Sequence, residues 1–324
     1  MSFGVSLLKV LGAIVALWVL YAYLLRFERR VIGRLALRGD PRWGLLWPLA
    51  DAARALLKRS IPPKEAYRPL YYAAPLLTLG AILEALAVVP AGPTITLLGG
   101  RLTDGPMSLD ITLLLVVALS WVTLLTVLLG AWSARSDYLW EEGCRVARAG
   151  LGYSLPALLA LGGAIMLTGS LDLRAIVRAQ GVAFPYLLYQ PLGLLTFTLS
   201  ALLGSRRLPL RLPGGGNPLL GDFHLQHAGG VLALYHLVEH LHLLLIATLV
   251  ATIYLAGWWG PWRAGPHWLL LKVLAVTVAL LWLRDGWLAR RAEQLGRRAW
   301  RILMLLAILN TLLTAIILLW KRGI

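Results

Sequence analysis

The dominant feature of this sequence is a series of long apolar segments, each close to the ~20 residues that an α-helix needs to cross a lipid bilayer. Eight such segments occur, with approximate bounds 4–27, 69–91, 109–132, 150–168, 184–205, 230–256, 266–289 and 301–320. They are too long for the ~10-residue alternating segments of a membrane β-barrel. The sequence therefore predicts an all-α integral membrane protein with about eight transmembrane helices.

The composition excludes a soluble fold. Of the 324 residues, 59% are hydrophobic and 14% are charged, whereas a soluble chain typically has ~45–50% apolar and ~25% charged residues. So few charges cannot cover the surface of a soluble domain. We expect one transmembrane helical domain over residues 1–324.

The distribution of positive charge predicts the topology. Of the 31 Lys and Arg residues, 21 lie in four loops, at 28–68, 133–149, 206–229 and 285–301, and 6 lie on the other side. The positive-inside rule places the four basic loops in the cytoplasm, and eight spans then place both termini outside. The net charge of +16 flanks apolar segments, so it indicates contact with anionic lipid headgroups and excludes nucleic acid as a partner.

The first basic loop contains a predicted amphipathic helix from Trp43 to Arg59. Its apolar residues recur at helical spacing, with polar residues between them, and Trp43 and Trp47 are suited to anchor it at the membrane interface. The apolar positions are Leu45, Leu46, Leu49, Ala53, Leu56 and Leu57. Two interpretations stay open: a plain linker at headgroup level, or the wall of a site that a lipid-like substrate reaches from the membrane.

Ionisable residues inside apolar spans are functional candidates, because they are costly to place in lipid. Glu84 lies in the second span, where it either belongs to a proton path or is a neutral carboxyl bonded to a neighbouring helix. Lys272 lies in the seventh span and is a candidate partner for an acid such as Glu84.

The sixth span carries the densest polar cluster, between Tyr235 and His242. His236, Glu239 and His240 share one helical face at i, i+3 and i+4. They also spell H-x-x-E-H, a zinc peptidase pattern, but the downstream acidic ligand is not evident, so no metal site is predicted. A proton relay, contact with a ubiquinone-like headgroup and a structural polar seam all stay open.

The sequence predicts no redox cofactor and no catalytic residue on this chain. Cys144 is the single cysteine, which leaves no thiolate cluster for zinc or iron–sulfur binding. No Gly-rich phosphate loop, nucleotide fingerprint or catalytic triad is present. Any NADH or ATP chemistry would therefore belong to a partner.

Three stretches near the N-terminus resemble one known family. Residues 28–34 read Glu-Arg-Arg-Val-Ile-Gly-Arg, residues 38–42 read Arg-Gly-Asp-Pro-Arg, and residues 45–52 read Leu-Leu-Trp-Pro-Leu-Ala-Asp-Ala. They are similar to the Glu-Arg-Arg, Arg-x-Gly-Pro-Asn-Arg and Gln-Pro-Leu-Ala-Asp motifs of the H subunit of bacterial complex I, the homologue of mitochondrial subunit 1. Residues 130–133 and 256–258 have counterparts too, and the resemblance covers nearly the whole chain.

The resemblance implies a membrane-anchor subunit of a complex-I-like respiratory oxidoreductase in a prokaryotic inner membrane. Members of that family have eight spans and form the membrane side of a quinone chamber beneath a peripheral iron–sulfur arm, so that quinone is a substrate and the iron–sulfur clusters belong to partner subunits. The residues implied to dock the arm are Glu28, Arg29, Arg30, Arg34, Arg38 and Arg42. Those implied to contact quinone are Trp47, Asp51, Tyr235, Glu239 and His242, and the proton-path candidates are Glu84, His236, Glu239, His240 and Lys272.

The chain departs from the family where acids are expected. Between spans five and six the family reads Pro-Phe-Asp-Leu-Pro-Glu-Ala-Glu-x-Glu-Leu, but the corresponding acidic positions here are Arg211, Gly214, Gly216 and Pro218. A further family glutamate corresponds to Gly204, the family's Ser-Tyr-Glu reads Gly-Tyr-Ser at 152–154, and its His-x-Glu-Tyr reads His-Leu-Gln-His at 224–227; only the span-six acid, Glu239, is retained.

These departures leave the function and the enzymatic status open. In the family the acids line the route that links quinone reduction to the proton path, so their loss favours a structural homologue without quinone or proton coupling. A third hypothesis, an independent carrier or an intramembrane metalloenzyme, rests on Glu84 and the histidine cluster alone.

Overall fold

A computed structural model describes most of the chain, and every structural statement below refers to that part. The described residues are 26, 47–92, 96–97, 100–101, 110–182, 184–205, 229–262, 264–284 and 289–321. The docking residues predicted between 28 and 42 and most of the first predicted span lie outside these ranges.

Helices account for nearly all of the regular structure in these ranges. The helices are α1 (Trp47–Leu57), α2 (Arg68–Val88), α3 (Thr112–Ser133), α4 (Asp137–Thr168), α5 (Leu173–Val182), α6 (Tyr186–Tyr189), α7 (Pro191–Gly204), α8 (Gly229–Tyr254), α9 (Pro266–Trp282) and α10 (Ala289–Lys321). Between α2 and α3, β1 (Thr96–Leu97) pairs antiparallel with β2 (Gly100–Arg101). α1 confirms a helix within the predicted amphipathic segment.

Five helices are long and apolar enough to cross a membrane: α2, α3, α4, α8 and the Arg298–Trp320 part of α10. α7 and α9 are apolar but shorter, with 14 and 17 residues. Every predicted span after the first therefore coincides with a helix, which confirms an all-helical, multi-pass membrane fold. The count of eight spans and the sidedness of the loops stay predictions.

The structure adds three features that hydropathy did not predict. α4 begins at Asp137 rather than near residue 150, because ion pairs from Arg145 to Glu141 (3.6 Å) and Glu142 (2.7 Å) support helix in a polar stretch. α5 is an extra short helix, and Asp172 caps it by accepting bonds from the first backbone N–H groups. The predicted fifth span is interrupted at Gln190, between α6 and α7.

α8 is the central helix of the bundle. Of its most apolar stretch 89% is buried, compared with 22–44% for the other four long helices. It packs against α1, α2, α7 and α9. Because α8 is largely enclosed by its neighbours, the polar residues predicted on it are buried or half-buried.

The loop after α1 caps the N-terminus of α8. The N–H of Gly230 donates to the carbonyl of Lys58 (2.9 Å), and the N–H of Val231 donates to Ser60 Oγ (3.1 Å). Gly229 has a positive φ of 64°, and a side chain there would meet the carbonyl of Arg59. The close approach of the two segments therefore requires glycine, and it fixes α1 to the helix that carries Glu239.

Candidate functional site

A small pocket lies between α2, α3, α7 and α8. Its polar side chains come from α3, from the residue after α7 and from α8. The lining residues are Ile82, Thr123, Leu124, Gly204, Ser205, Val238, Glu239 and His242. Two of the five predicted quinone-contact residues, Glu239 and His242, thus share one cavity.

Glu239 is held in an almost fully buried position beside a histidine. Its side chain is 9% exposed, and its Oε2 lies 3.7 Å from Nδ1 of His236, whose side chain is 45% exposed. A buried carboxylate next to an imidazole can form an ion pair or pass a proton, depending on which group holds it. His236 therefore provides a titratable link between Glu239 and the more exposed surface of α8.

His240 is oriented by its own helix. Its Nδ1 lies 2.7 Å from the carbonyl oxygen of His236. Since a carbonyl only accepts, Nδ1 carries the proton, and Nε2 is the nitrogen able to take up another. The side chain is 4% exposed, so the predicted face of His236, Glu239 and His240 forms, but each residue has a different environment.

Hydroxyl groups extend the polar environment of the pocket between α2 and α3. Thr78 Oγ1 lies 2.8 Å from Thr126 Oγ1, and Thr126 donates to the carbonyl of Thr123 at 2.9 Å. Thr78 is 0% exposed. This row of hydroxyl groups was not predicted, although the i, i+3 spacing of Thr123 and Thr126 on one helix was a usable signal.

Tyr235 lies outside the pocket. It is 1% exposed and packs with Tyr71 and Ala131 in a second apolar cluster, where Gly130 leaves space for its ring. It lies one turn before Glu239 on α8, towards the joint with α1. The structure therefore does not place Tyr235 with Glu239 and His242 on one cavity wall.

Lys272 is on α9, and its side chain reaches the C-terminal end of α8, where it bonds to backbone carbonyls. Its Nζ donates to the carbonyls of Leu255 (2.6 Å), Gly257 (3.0 Å) and Trp259 (2.6 Å). These three bonds use all three donors of an ammonium group, and the positive charge faces the negative end of the helix dipole. The predicted pairing with Glu84 is not formed, since Glu84 lies on an exposed face of α2.

For Trp47 and Asp51, the structure describes the backbone of α1 and not the side chains. Their role at a quinone site therefore stays a prediction. Among the described residues, no group of three His, Cys, Asp or Glu side chains is suited to hold a metal ion.

The sequence matches a known family over nearly its full length. The profile of the family described as NADH dehydrogenase matches residues 8–315. The chain belongs to this family. Three relatives, each named as an H subunit of NADH-quinone oxidoreductase, share about a third of their aligned residues with it. They come from Syntrophotalea carbinolica (34% identity, covering 96% of this chain and 94% of the relative), Syntrophobacter fumaroxidans (32%, 98% and 97%) and Geobacillus kaustophilus (33%, 98% and 94%).

Membership of the NADH dehydrogenase family confirms the resemblance found in the N-terminal motifs, and the identity of about a third fits a divergent member. One divergence is visible in the pocket wall. Gly204, which the resemblance pairs with a glutamate of the family, lies against α4, and a Cβ built on it would be 3.3 Å from Cβ of Tyr153.

Two buried polar contacts of this family member were not predicted from sequence. Glu142 was assigned to a loop, but its side chain is 8% exposed and bonded to Arg145. Gln190, at the break between α6 and α7, donates from Nε2 to Thr314 Oγ1 at 2.8 Å and so joins this break to α10. The Glu142–Arg145 pair has i, i+3 spacing on α4 and was missed because this stretch was assigned to a loop. The Gln190–Thr314 bond has no sequence motif, because it depends on which helices become neighbours.

Proposed function

We propose that the chain is a membrane-anchor subunit of a complex-I-type NADH-quinone oxidoreductase in a bacterial inner membrane. The family match, the relatives named as H subunits and the multi-pass helical fold support this role. In this proposal the basic loops face the cytoplasm, the redox cofactors belong to partner subunits, and this chain supplies the membrane side of a quinone chamber.

The joint between α1 and α8 supports a quinone chamber on the cytoplasmic side. α1 carries Trp47 and Asp51, and the loop after it caps the helix that carries Tyr235 and Glu239. Glu239 lies nine residues after Gly230, which is about 13.5 Å along a helix at 1.5 Å per residue. A quinone that enters the protein beside α1 would therefore be about this distance from the buried carboxylate of Glu239.

The observation that carries the proton-coupling part of the proposal is the position of Glu239. It is the acid that the chain retains from the family's acidic set, it lines the pocket with His242, and it contacts His236. We propose that Glu239, His236, His240 and His242 form the titratable part of a proton path. Glu84 and Lys272 are not part of this group, because Glu84 lies on an exposed face of α2 and Lys272 bonds to the end of α8.

The test replaces Glu239 with Gln, which keeps the shape of the side chain and removes its charge. The matched control is Glu65→Gln, an exposed acid in the loop after α1. Because a positioned acid–base group typically contributes 10²- to 10⁴-fold to rate, we expect E239Q to lower NADH-driven proton uptake in membrane vesicles at least ~10-fold. The control should remain unchanged.

We also propose that Arg29, Arg30, Arg34 and Arg38, with Glu28 and Arg42 beside them, dock the peripheral iron–sulfur arm. The double variant Arg34→Glu/Arg38→Glu should release that arm during gentle solubilisation. Affinity purification of the tagged chain followed by mass spectrometry would measure this. A complex that keeps its arm in the double variant would exclude the docking role, and a chain that always purifies alone would exclude the subunit role.

A second candidate function is a structural subunit without quinone or proton coupling. The loss of the family's acids at positions 204, 211, 214, 216 and 218 favours it. Unchanged quinone reduction and proton uptake in E239Q, in a complex that still holds its peripheral arm, would establish this alternative.

A further inference from the structure

Glu84 is an acidic residue on an exposed face of an otherwise apolar helix. It is the only charged residue between Arg68 and Arg101. Leu76 and Leu77, on the same face of α2, are 54% and 52% exposed. Among the residues that the structure describes, none forms a hydrogen bond or ion pair with the Glu84 carboxylate.

The position of Glu84 along α2 makes an unpaired carboxylate unfavourable. It lies four residues before Val88, the last residue of the helix, which is about 6 Å at 1.5 Å per residue. The C-terminal end of a helix carries a partial negative charge, so an anion there is repelled. The last turn of α2 contains no basic residue to offset this. Contact with lipid alone would add the cost of a charge in hydrocarbon.

The surface around Glu84 is shaped for the close approach of another helix. Gly80 lies one turn before it on the same face, and a Cβ built on Gly80 would have no atom within 4 Å. Ala87, one turn after it, is also small and exposed. Small residues at this spacing let helix backbones approach closely in membranes, and a polar side chain between them can bond across the interface.

We propose that the Gly80–Glu84–Ala87 face of α2 is the docking surface for a transmembrane helix of another membrane subunit, which presents a Lys or Arg to Glu84. A Lys or Arg on that helix would offset the negative charge of the Glu84 carboxylate beside the helix C-terminus, and the small residues on both sides of Glu84 fit a helix rather than a loop. This inference rests on the proposed role as a subunit of a larger complex. It assigns Glu84 to subunit assembly instead of the proton path.

The experiment compares the intact complex from membranes carrying Glu84→Asp, Glu84→Leu or Glu84→Lys, separated by native gel electrophoresis with mass spectrometry of its subunits. We expect E84D to keep the complex, and E84L and E84K to lose one membrane subunit while the peripheral iron–sulfur arm stays bound. Loss of the arm alone would instead reflect the separate docking role of the first loop. Glu65→Leu is the control for removal of a carboxylate outside the spans.

The opposite result has a distinct signature. If the face meets lipid, E84L removes a charge from hydrocarbon, so it should raise the unfolding temperature of the chain and leave every subunit in place. That outcome would overturn the proposal. If E84L fails to accumulate, Gly80→Leu tests the same surface by blocking close approach without changing charge, and an intact complex would then count against docking.

A third outcome concerns the N-terminal segment of this chain, which carries Lys9. If Lys9→Leu causes the same loss as E84L, and the exchange Lys9→Glu/Glu84→Lys restores the complex, the partner of Glu84 is within this chain. That result would also overturn docking of another subunit.

Discussion

The contacts of Lys272 lead to a prediction about stability that separates a structural role from proton transfer. In Lys272→Met, the carbonyls of Leu255, Gly257 and Trp259 lose their shared donor. A hydrogen bond to a charged group contributes ~1.5–3 kcal/mol, but the three bonds share one ammonium and are not additive. Removing the ammonium from a partly buried site also returns some desolvation cost. We expect a net loss of roughly 2–4 kcal/mol.

The assay is thermal unfolding of the purified chain in mild detergent, followed by circular dichroism at a fixed scan rate. At about 1.5 °C per kcal/mol for a chain of 324 residues, the unfolding temperature should fall by roughly 3–6 °C. Lys64→Met, in the exposed loop before α2, is the control and should have little effect. An unfolding temperature for K272M equal to that of the unmodified chain would refute the reasoning.

The variant Lys272→Arg distinguishes a structural role of the ammonium group from a role in proton transfer. An arginine keeps a permanent positive charge and several donors, but it does not release a proton. If Lys272 is structural, the hydrogen bonds to the end of α8 should therefore be kept in part, and proton uptake should be preserved in the assembled complex. A fold that is intact but has lost proton uptake would show that Lys272 carries protons.

Three further predictions use the same thermal assay. Ser60→Ala removes the cap on the first turn of α8 and should cost about 1 kcal/mol, which is typical of a lost N-cap; no change would mean that the loop after α1 does not hold α8. Gly163→Ala should destabilise by ~1–3 kcal/mol, because its Cβ would lie 2.6 Å from a side-chain nitrogen, whereas its neighbour Gly162→Ala, with nothing within 4 Å, should stabilise by up to ~1 kcal/mol. Equal signs for the two glycines would contradict the packing. Glu142→Leu should cost up to about 1 kcal/mol, because half-exposed Arg145 loses its shorter ion pair and keeps the one to Glu141, and adding Arg145→Met should recover part of the loss.

Hydropathy was sufficient to locate the apolar helices after the first predicted span, because the bilayer imposes one length and one polarity on every span. It failed where other forces set the boundary. α4 extends to Asp137 through ion pairs in a polar stretch, and the fifth span breaks at Gln190, where a side-chain amide bonds α10. Neither effect is visible in a sliding average of apolar residues.

The candidate site was predictable only in part. The i, i+3 spacing brought His236 and Glu239 together, because both lie on one helix and helical geometry is local. Tyr235 and Lys272 were predicted as site residues from their residue type and their position within a span. Packing between helices determines which residues surround them. Tyr235 faces Gly130 on α3, and Lys272 faces the end of α8.

The environment of Gly204 bears on the loss of acids in this chain. Gly204 lines the same pocket as Glu239, and the resemblance pairs this position with a glutamate of the family. A Cβ there would lie 3.3 Å from Cβ of Tyr153 and 3.8 Å from the carbonyl oxygen of Gly150, so a side chain at position 204 would have little room between α7 and α4. Glu239 contacts His236 and shares the pocket with His242, so these two histidines are the residues to vary next in any test of coupling.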